Sequence, residues 1–496
     1  MAIRTTRTGQ NALLSHLRAL LTLQRFNHNL AEAGSQAQPN ANVGSDSVSQ
    51  QGRIEFSKWR KMDSRTLGIT RSMISWPSWI VMKVLQSKGF EVYLVGGCVR
   101  DLLLNRIPKD FDLITTAALK QIRKQFHHSE IVGRRFPICR VHVKGSVIEV
   151  SSFETVAQHA EKEKFLFSQM PKGCDKKDFT RWRNCMHRDF TINSLFFDPF
   201  VNKIYDYANG MMDIRSLKLR TLIPAELSFK EDCARILRCL RLAARLSLSF
   251  SKETEAAIRK LSPSINNLNK SRMIMELNYM LSYGAAESSL CLLWRFNMLD
   301  ILLPVHAAYL DQQTRKQSGQ SSIMLMKLFF QLDKLVTCDR PSDCILCSIL
   351  SILDQPKYIA LLEALWIRAY YFRSSYIKWV GLLAFHLGLL NKPQHALVVL
   401  TFASVLYHGN WKEGVKFARQ NAQTPLSFVP EISEACEFIS DDELAERVIQ
   451  LASLVQDSID ILTDEDSLLE TMARFPGLPC SGVVSISSLV SSLCIQ

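Results

Sequence analysis

The chain has 496 residues, 47% of them apolar, with a formal net charge of +13 and an isoelectric point near 9.1. That length leaves room for several domains and a large buried core, and the positive excess suits a polyanionic partner such as nucleic acid. The 13 cysteines are odd in number and irregularly spaced, which argues against a disulfide framework, and no apolar run approaches the ~18 residues of a membrane span.

Residues 1–60 differ from the rest. Arg4, Arg7, Arg18 and Arg25 all precede the first acidic residue, Glu32, and Leu13, Leu14, Leu17, Leu20 and Leu21 recur between them at helical spacing. An Arg-bearing, acid-poor start followed by a Gln/Asn/Ser/Gly stretch resembles a mitochondrial or plastid transit peptide and is expected to be disordered.

Ser64–Lys88 carries a weak helical period. Glu91–Val95 is strand-like and runs into Gly96-Gly97, and Asp101–Leu104 reads as a short helix closed by Pro108. Phe111–Thr115 is again strand-like, Leu119–Phe126 helical, and Ile138–Val143 and Val147–Phe153 are strands joined by the turn Lys144-Gly145-Ser146. Ala157–Met186 is polar, lysine-rich and poorly patterned, and is expected to be a flexible loop. From Leu227 onward the pattern is almost entirely helical. The apolar runs Val380–Leu390 and Ala396–Tyr407 read as buried helices. Cys344 and Cys347, with Cys338 nearby, read as helical core behind a Ser342 N-cap, because no second CxxC or histidine pair completes a zinc site. The expected fold is α+β: a head at 61–225 with a short-stranded mixed sheet, a helical neck at 226–300, and a helical region at 301–496.

The first chemical constellation is Gly96-Gly97-Cys98-Val99-Arg100-Asp101 followed by Pro108-Lys109-Asp110-Phe111-Asp112. Glycines after a strand let backbone N–H groups approach a triphosphate closely, and Arg100, one turn into the next helix, can reach the same phosphates. Asp110 and Asp112 are two apart, so on a strand both carboxylates share a face. Two carboxylates on one face suit a two-metal site that activates a hydroxyl and stabilises leaving pyrophosphate. A lone DxD or a lone GG is common. Together, with strand, turn and helix between them, they are far more specific.

The stretch VGGCVRDLLLNRIPKDFD resembles the signature of the class II nucleotidyltransferases, a family of bacterial-type poly(A) polymerases and CCA-adding tRNA nucleotidyltransferases. The resemblance implies Asp110 and Asp112 as Mg2+ ligands, with Gly96, Gly97 and Arg100 on the nucleotide. Arg188-Asp189-Phe190-Thr191-Ile192-Asn193 is similar to the family's RRDFTIN motif, which reads the ribose. Arg188, Asp189 and Asn193 can offer donors and acceptors to a 2′-hydroxyl. His187 stands where the family usually has its first arginine, and Asn184 where an aspartate is common. Asp206 to Asp213 resembles the family's DxxxGxxD linker, which implies a turn in the chain more than a substrate contact.

Glu231-Asp232-Cys233-Ala234-Arg235 resembles the family's EDxxR motif. Asp232 and Arg235 lie on adjacent helical turns, where they can pair and present acceptor and donor edges like those of a base. The resemblance implies a protein template for the incoming base, with Arg238 and Arg241 on the triphosphate or the RNA primer. Lys270–Leu277 is similar to the family's ERIxxEL helix and is expected to be structural. Ile131–Ile138, with Arg134 and Arg135 as candidate RNA contacts, is closer to the poly(A) polymerase branch. Glu149, on the strand around Val147–Val150, is a candidate third carboxylate for the metals.

The resemblance spans roughly Glu91 to Pro304. It implies transfer of AMP from ATP to RNA 3′ ends, in mRNA, tRNA or another RNA. The alternatives are CCA addition to tRNA, which would also use CTP, and a non-catalytic RNA-binding module. No membrane partner is expected.

Overall fold

The computed structural model describes residues 59–133, 137–155, 174–316, 323–336, 378–408, 410–421, 431–433, 439–463 and 470. The chain divides into two compact units, 1–53 and 54–496, and all the described residues belong to the second. The transit-peptide-like segment up to residue 58, the arginines at 134 and 135, and the cysteines at 338, 344 and 347 lie outside the described residues.

The head is built on a mixed eight-stranded sheet in the order β1-β8-β7-β2-β3-β6-β5-β4. Its strands are β1 (Arg60–Asp63), β2 (Val92–Val95), β3 (Asp112–Thr115), β4 (Ser129–Val132), β5 (Ile138–Val143), β6 (Ser146–Ser152), β7 (Phe196–Asp198) and β8 (Lys203–Asp206). Strand β2 is antiparallel to both neighbours, and β3 and β6 are parallel. The β5–β6 turn falls where the sequence places it, with Lys144 and Gly145 both at positive φ, as a tight two-residue hairpin requires. Helix α1 (Trp76–Ser87) starts at Ser75, whose hydroxyl accepts from the Ser78 N–H, as an N-cap does. Before it, Arg65–Leu67 and Arg71–Met73 are single 3-10 turns, so the weak helical period of 64–88 resolves into two turns and one helix. Helices α2 (Gly97–Leu103) and α3 (Leu119–Gln125) follow β2 and β3.

Side chains on a strand alternate faces, and β2 uses both. Val92 and Leu94 enter the main apolar core, whereas Tyr93 and Val95 enter a second core with Ile114, Phe153, Trp182, Cys185, Phe196 and Tyr207. That second face needs a cover. Helix α4 (Lys176–Met186) supplies Trp182 and Cys185 to it, so this part of the expected loop at 157–186 is an eleven-residue helix. Its apolar stripe is short and its charges are partly internal, which hides it from a periodicity search. The Arg181 guanidinium is buried and donates to the Tyr207 hydroxyl (2.8 Å), the Tyr93 hydroxyl (2.7 Å) and Asp178 (2.7 Å). A buried arginine is tolerated only with its donors satisfied in this way.

After β8, the chain turns through α5 (Gly210–Arg215). The buried Asp206 carboxylate accepts N–H bonds from Ala208, Gly210 and Met211, and buried Asp213 accepts from the Thr191 hydroxyl and pairs with Arg220. The DxxxGxxD segment therefore ties the turn to the RDFTIN segment. Beyond it come α6 (Ala225–Glu231), α7 (Ala234–Leu246), α8 (Lys252–Leu261), α9 (Lys270–Leu281) and α10 (Ala286–Arg295). Then follow α11 (Leu299–Leu302), α12 (Pro304–Lys316), α13 (Met324–Leu335), α14 (Lys378–Asn391), α15 (Ala396–His408), α16 (Trp411–Asn421) and α17 (Asp441–Thr463). Two-residue strands at Ser249–Phe250, Gln394–His395 and Ile432–Ser433 interrupt the helices. Helices α14 and α15 are the two apolar runs of the sequence, and Leu383, Phe385, Val398 and Ala403 on them are buried. Among the described residues no helix is long and apolar enough to cross a membrane.

Candidate active site

Strand β3 begins at Asp112, so Asp110 lies in the extended approach and not on the strand itself. The alternation still holds. Asp110 and Asp112 are exposed and Phe111 between them is buried, so both carboxylates leave the same side of the chain. In register, Asp112 faces Val95 on β2 and lies one position before the Leu113–Val150 pair that joins β3 to β6. That places Glu149 beside it. Although Asp112 opens to solvent, the surrounding protein pushes its pKa up to about 6, with the charges of Glu149 and Asp110 adding to the shift and Arg188 opposing it.

A carboxylate so crowded by its own kind is a donor that a divalent cation suits. Among the described residues no three His, Cys, Asp or Glu side chains group closely enough to hold a metal ion. Glu149 is also in contact with Arg140, 3.3 Å away across the β5–β6 hairpin. The residues therefore fit a hard cation held by two aspartates and completed by substrate phosphates, the usual arrangement for Mg2+.

Gly96, between β2 and α2, has φ +77°, a conformation that strains any side chain. A Cβ there would meet Arg188 Nη1 at 3.3 Å and Asp112 Oδ2 at 3.5 Å. The first glycine thus sits in a corner formed by the DxD segment and the RDFTIN segment. Gly97 opens α2, which carries Arg100.

Arg100 is buried and donates to Asp101 at 2.9 and 2.7 Å and to the Asn193 side chain at 2.7 Å. Asn193 in turn donates to Asp189 at 3.3 Å, and Asp189 also accepts from the Phe190 N–H at 2.8 Å. The other Asp189 oxygen is 2.7 Å from Arg238 on α7. One polar chain therefore runs from α2 in the head, through the RDFTIN turn, to the helix that follows the EDxxR motif. Arg188 lies alongside, donating to the Asn193 carbonyl at 3.3 Å, with its guanidinium 5.7 Å from the Phe196 ring. Its burial lowers its pKa, which the nearby negative groups partly offset.

The structure corrects the expected pairing of Asp232 with Arg235. Asp232 is the C-cap of α6, between that helix and α7, and its backbone is extended, so its side chain leaves the helical register. One Asp232 oxygen accepts the Ala234 N–H at 3.1 Å, and the other accepts from Arg272 on α9 at 2.8 Å. Arg235 bonds instead to the Ser228 hydroxyl at 2.9 Å and to Glu231 at 2.8 Å. One turn along α9 from Arg272, Glu276 is 3.3 Å from Arg241. Burial lowers the Arg241 pKa and raises that of Glu276, and each partner's charge works against that shift.

Helix α9 is therefore no mere scaffold, because it holds both Asp232 and Arg241. Sequence reasoning assigned Arg272 and Glu276 no site role. Their i,i+4 spacing is visible, but it suggests a pair with each other. Their actual partners lie on a different element.

Residues 92–220 match the family profile described as "Poly A polymerase head domain", and residues 247–310 match "Probable RNA and SrmB- binding site of polymerase A". Among curated proteins, Poly(A) polymerase I of Haemophilus influenzae is 33% identical over 260 residues, which is 52% of this chain and 57% of that protein. A CCA-adding enzyme of Staphylococcus aureus is 33% identical over 211 residues, 42% of this chain and 50% of that protein. The chain thus spans about half the length of the curated relatives it matches. The crystal structure of Bacillus stearothermophilus CCA-adding enzyme in complex with CTP aligns with 82% of this chain and 90% of its own, at 21% identity and a TM-score of 0.44, a distant likeness. Profiles named for the head domain and for a probable RNA-binding site of poly(A) polymerases thus match the chain in that order, and the relatives that match over 42–52% of it include bacterial poly(A) polymerases and CCA-adding enzymes.

Proposed function

We propose that the protein is a template-independent RNA nucleotidyltransferase that adds AMP from ATP to RNA 3′ ends. The observation that carries this reading is the polar chain Asp101–Arg100–Asn193–Asp189–Arg238. It fixes the corner beside Gly96, Arg188 and Asp112 relative to the helix that follows Asp232 and carries Arg235. A nucleotide laid across that corner puts its phosphates near Asp110 and Asp112 and its base toward Asp232 and Arg235.

In this reading the 3′-oxygen of the RNA attacks the α-phosphorus of ATP in line and pyrophosphate leaves. Bound Mg2+, held by Asp110 and Asp112, would lower the pKa of the attacking hydroxyl and neutralise the leaving phosphates. The protein's own part is positioning. Arg100 and Arg188 supply positive charge beside the glycine turn. Asn193 and Asp189 offer a donor and an acceptor to the ribose. Asp232, aligned by Arg272, and Arg235 meet the base edge. No side chain is needed as a general base.

Adenylate addition is preferred to CCA addition because the Ile131–Ile138 sequence and the segments around Thr191 and Met211 are closer to the polymerase branch. CCA addition is the second reading, favoured by the 33% identity to the Staphylococcus aureus CCA-adding enzyme. Primer extension decides between them, with each labelled NTP supplied singly to unstructured RNA and to tRNA lacking its 3′ end. Repeated AMP addition to unstructured RNA is expected. CTP incorporation into tRNA that stops after two residues overturns it, and RNA binding without transfer of any nucleotide overturns the enzyme reading altogether.

A further inference from the structure

Helix α9 carries more than the partners of Asp232 and Arg241. Tyr279, one turn beyond Glu276 on the exposed side, retains 39% of its surface. The Arg241 guanidinium sits 5.0 Å from its ring centre. Tyr283, just past the end of the helix, has its ring 5.6 Å from that of Tyr279, tilted by 47°. The Lys109 ammonium lies 4.8 Å from the Tyr283 ring, and Lys109 is the residue before Asp110. The loop that carries Lys109 also touches α7, where Arg106 donates to the Arg245 carbonyl at 3.3 Å.

These contacts follow one another along α9 and past its end. Arg272 holds Asp232 at one end, Glu276 and Tyr279 meet Arg241 in the middle, and Tyr283 meets Lys109 beside the carboxylates at the other. At ~1.5 Å of rise per residue, Arg272 and Tyr279 are about 10 Å apart along α9. That is too far for one base to touch both the Asp232 end and the tyrosines. The Asp232 end is taken by the incoming base in the reading above. What must lie beside Asp110 is the 3′ end of the chain being extended, because its hydroxyl reacts there.

We propose that Tyr279 and Tyr283 form a stacking platform for the terminal bases of the RNA, with Arg241 and Lys109, each lying over one of the rings, meeting the phosphates. The inference rests on the nucleotidyltransferase reading and adds the residues that seat the primer. The chemistry is that of single-strand binding, in which aromatic faces take bases of any sequence and cations track the backbone. It accounts for an exposed Tyr279 ring and a half-buried Tyr283 ring in contact with each other, each within reach of a cation.

The test uses the full chain with Tyr279→Ala/Tyr283→Ala and Tyr279→Phe/Tyr283→Phe. Affinity for a short 5′-labelled oligoadenylate is read by fluorescence anisotropy, and the KM for ATP by AMP incorporation at saturating RNA. Alanine should weaken RNA binding by about 5- to 100-fold and move the ATP KM by less than about twofold, and phenylalanine should restore binding. Unchanged RNA affinity in the alanine variant overturns the platform and leaves the enzyme reading standing. So does a phenylalanine variant as weak as alanine, since stacking needs the ring and not the hydroxyl. An ATP KM that rises in step with RNA loss assigns the rings to the incoming nucleotide and also overturns it. Wild-type protein that transfers no AMP to any RNA overturns the underlying reading instead.

Discussion

Arg238 on the first long neck helix lies 2.7 Å from the carboxylate of Asp189 in the head. The arginine side chain is 37% exposed and the aspartate 8%. The pair is therefore a tether whose loss strands a buried carboxylate on the head side. Removing Arg238 as alanine should destabilise the protein by about 1–3 kcal/mol, below the range for a fully buried pair because the arginine is partly solvated. It should also raise the ATP KM, because the ribose-side and base-side groups lose their fixed spacing. Denaturant unfolding and steady-state AMP incorporation read the two effects. An Arg238→Ala variant with wild-type stability would show that the tether is idle.

Asp112 sits among like charges, with its carboxyl pKa pushed up to about 6 by the surrounding protein and by Glu149 and Asp110, although its side chain reaches solvent. Asp112→Asn removes that repulsion. Its Tm without metal should equal or exceed that of the wild type, while AMP incorporation falls at least ~1000-fold, as expected when a metal ligand at the reacting centre is lost. Adding Mg2+ should raise the wild-type Tm and leave that of the variant unmoved, because a cation that binds only the folded site stabilises it. A variant that still transfers AMP at a substantial rate would remove Asp112 from the mechanism.

At Gly210 the chain packs directly against the backbone of the RDFTIN turn. A Cβ there would lie 2.2 Å from the Thr191 carbonyl oxygen. The obstacle is backbone, so it cannot rotate away. Gly210→Ala should cost about 1–3 kcal/mol, as overpacking does, and should disturb Asn193, two residues on from Thr191. Chemical denaturation gives the first number and the ATP KM the second. Neutral behaviour in both would mean that the turn has slack that this packing does not show.

His306 is fully buried on α12, with Nε2 3.3 Å from the Leu383 carbonyl on α14, and burial and the neighbouring His386 push its pKa down to about 3. The His386 pKa is also lowered by burial, against the pull of Glu431, which in turn accepts from the Tyr309 hydroxyl. A histidine kept neutral in the folded state takes up a proton more readily when unfolded. Its contribution is complete above the unfolded pKa near 6.5 and is lost as pH falls toward the folded value. Stability should fall between pH 7 and 5 by about 2 kcal/mol from His306 alone, at about 1.4 kcal/mol per pH unit. His306→Gln, which keeps a donor, should flatten that slope in thermal unfolding. An unchanged slope would assign the acid sensitivity elsewhere.

The candidate site groups were legible because they are local. Gly96-Gly97 after a strand and two aspartates around a buried phenylalanine are patterns of a few residues, and the structure keeps Asp110 and Asp112 on one side even though the strand starts only at Asp112. Helix α4 was not legible. What makes it a helix is the second face of the sheet, where Tyr93, Phe196 and Tyr207 wait for Trp182, and no window of sequence around Trp182 contains that face. Asp232 and Arg235 were identified as residues but misread as partners, because the helix breaks at Asp232 and its carboxylate turns to Arg272, forty positions away.

The sequence by itself determined which side chains are at hand: two carboxylates around a buried phenylalanine, a glycine turn after a strand, and the acid and arginine of Asp232 and Arg235. Backbone geometry within a few residues fixes those, and it follows from residue type and periodicity. Only the tertiary structure decided which groups hold which. The Arg100 bond to Asn193 spans 93 positions, and the aromatic run from Tyr279 to Lys109 joins the neck to the head. Such pairings depend on where whole elements pack, and the sheet register and the crossing of α7 with α9 set that placement.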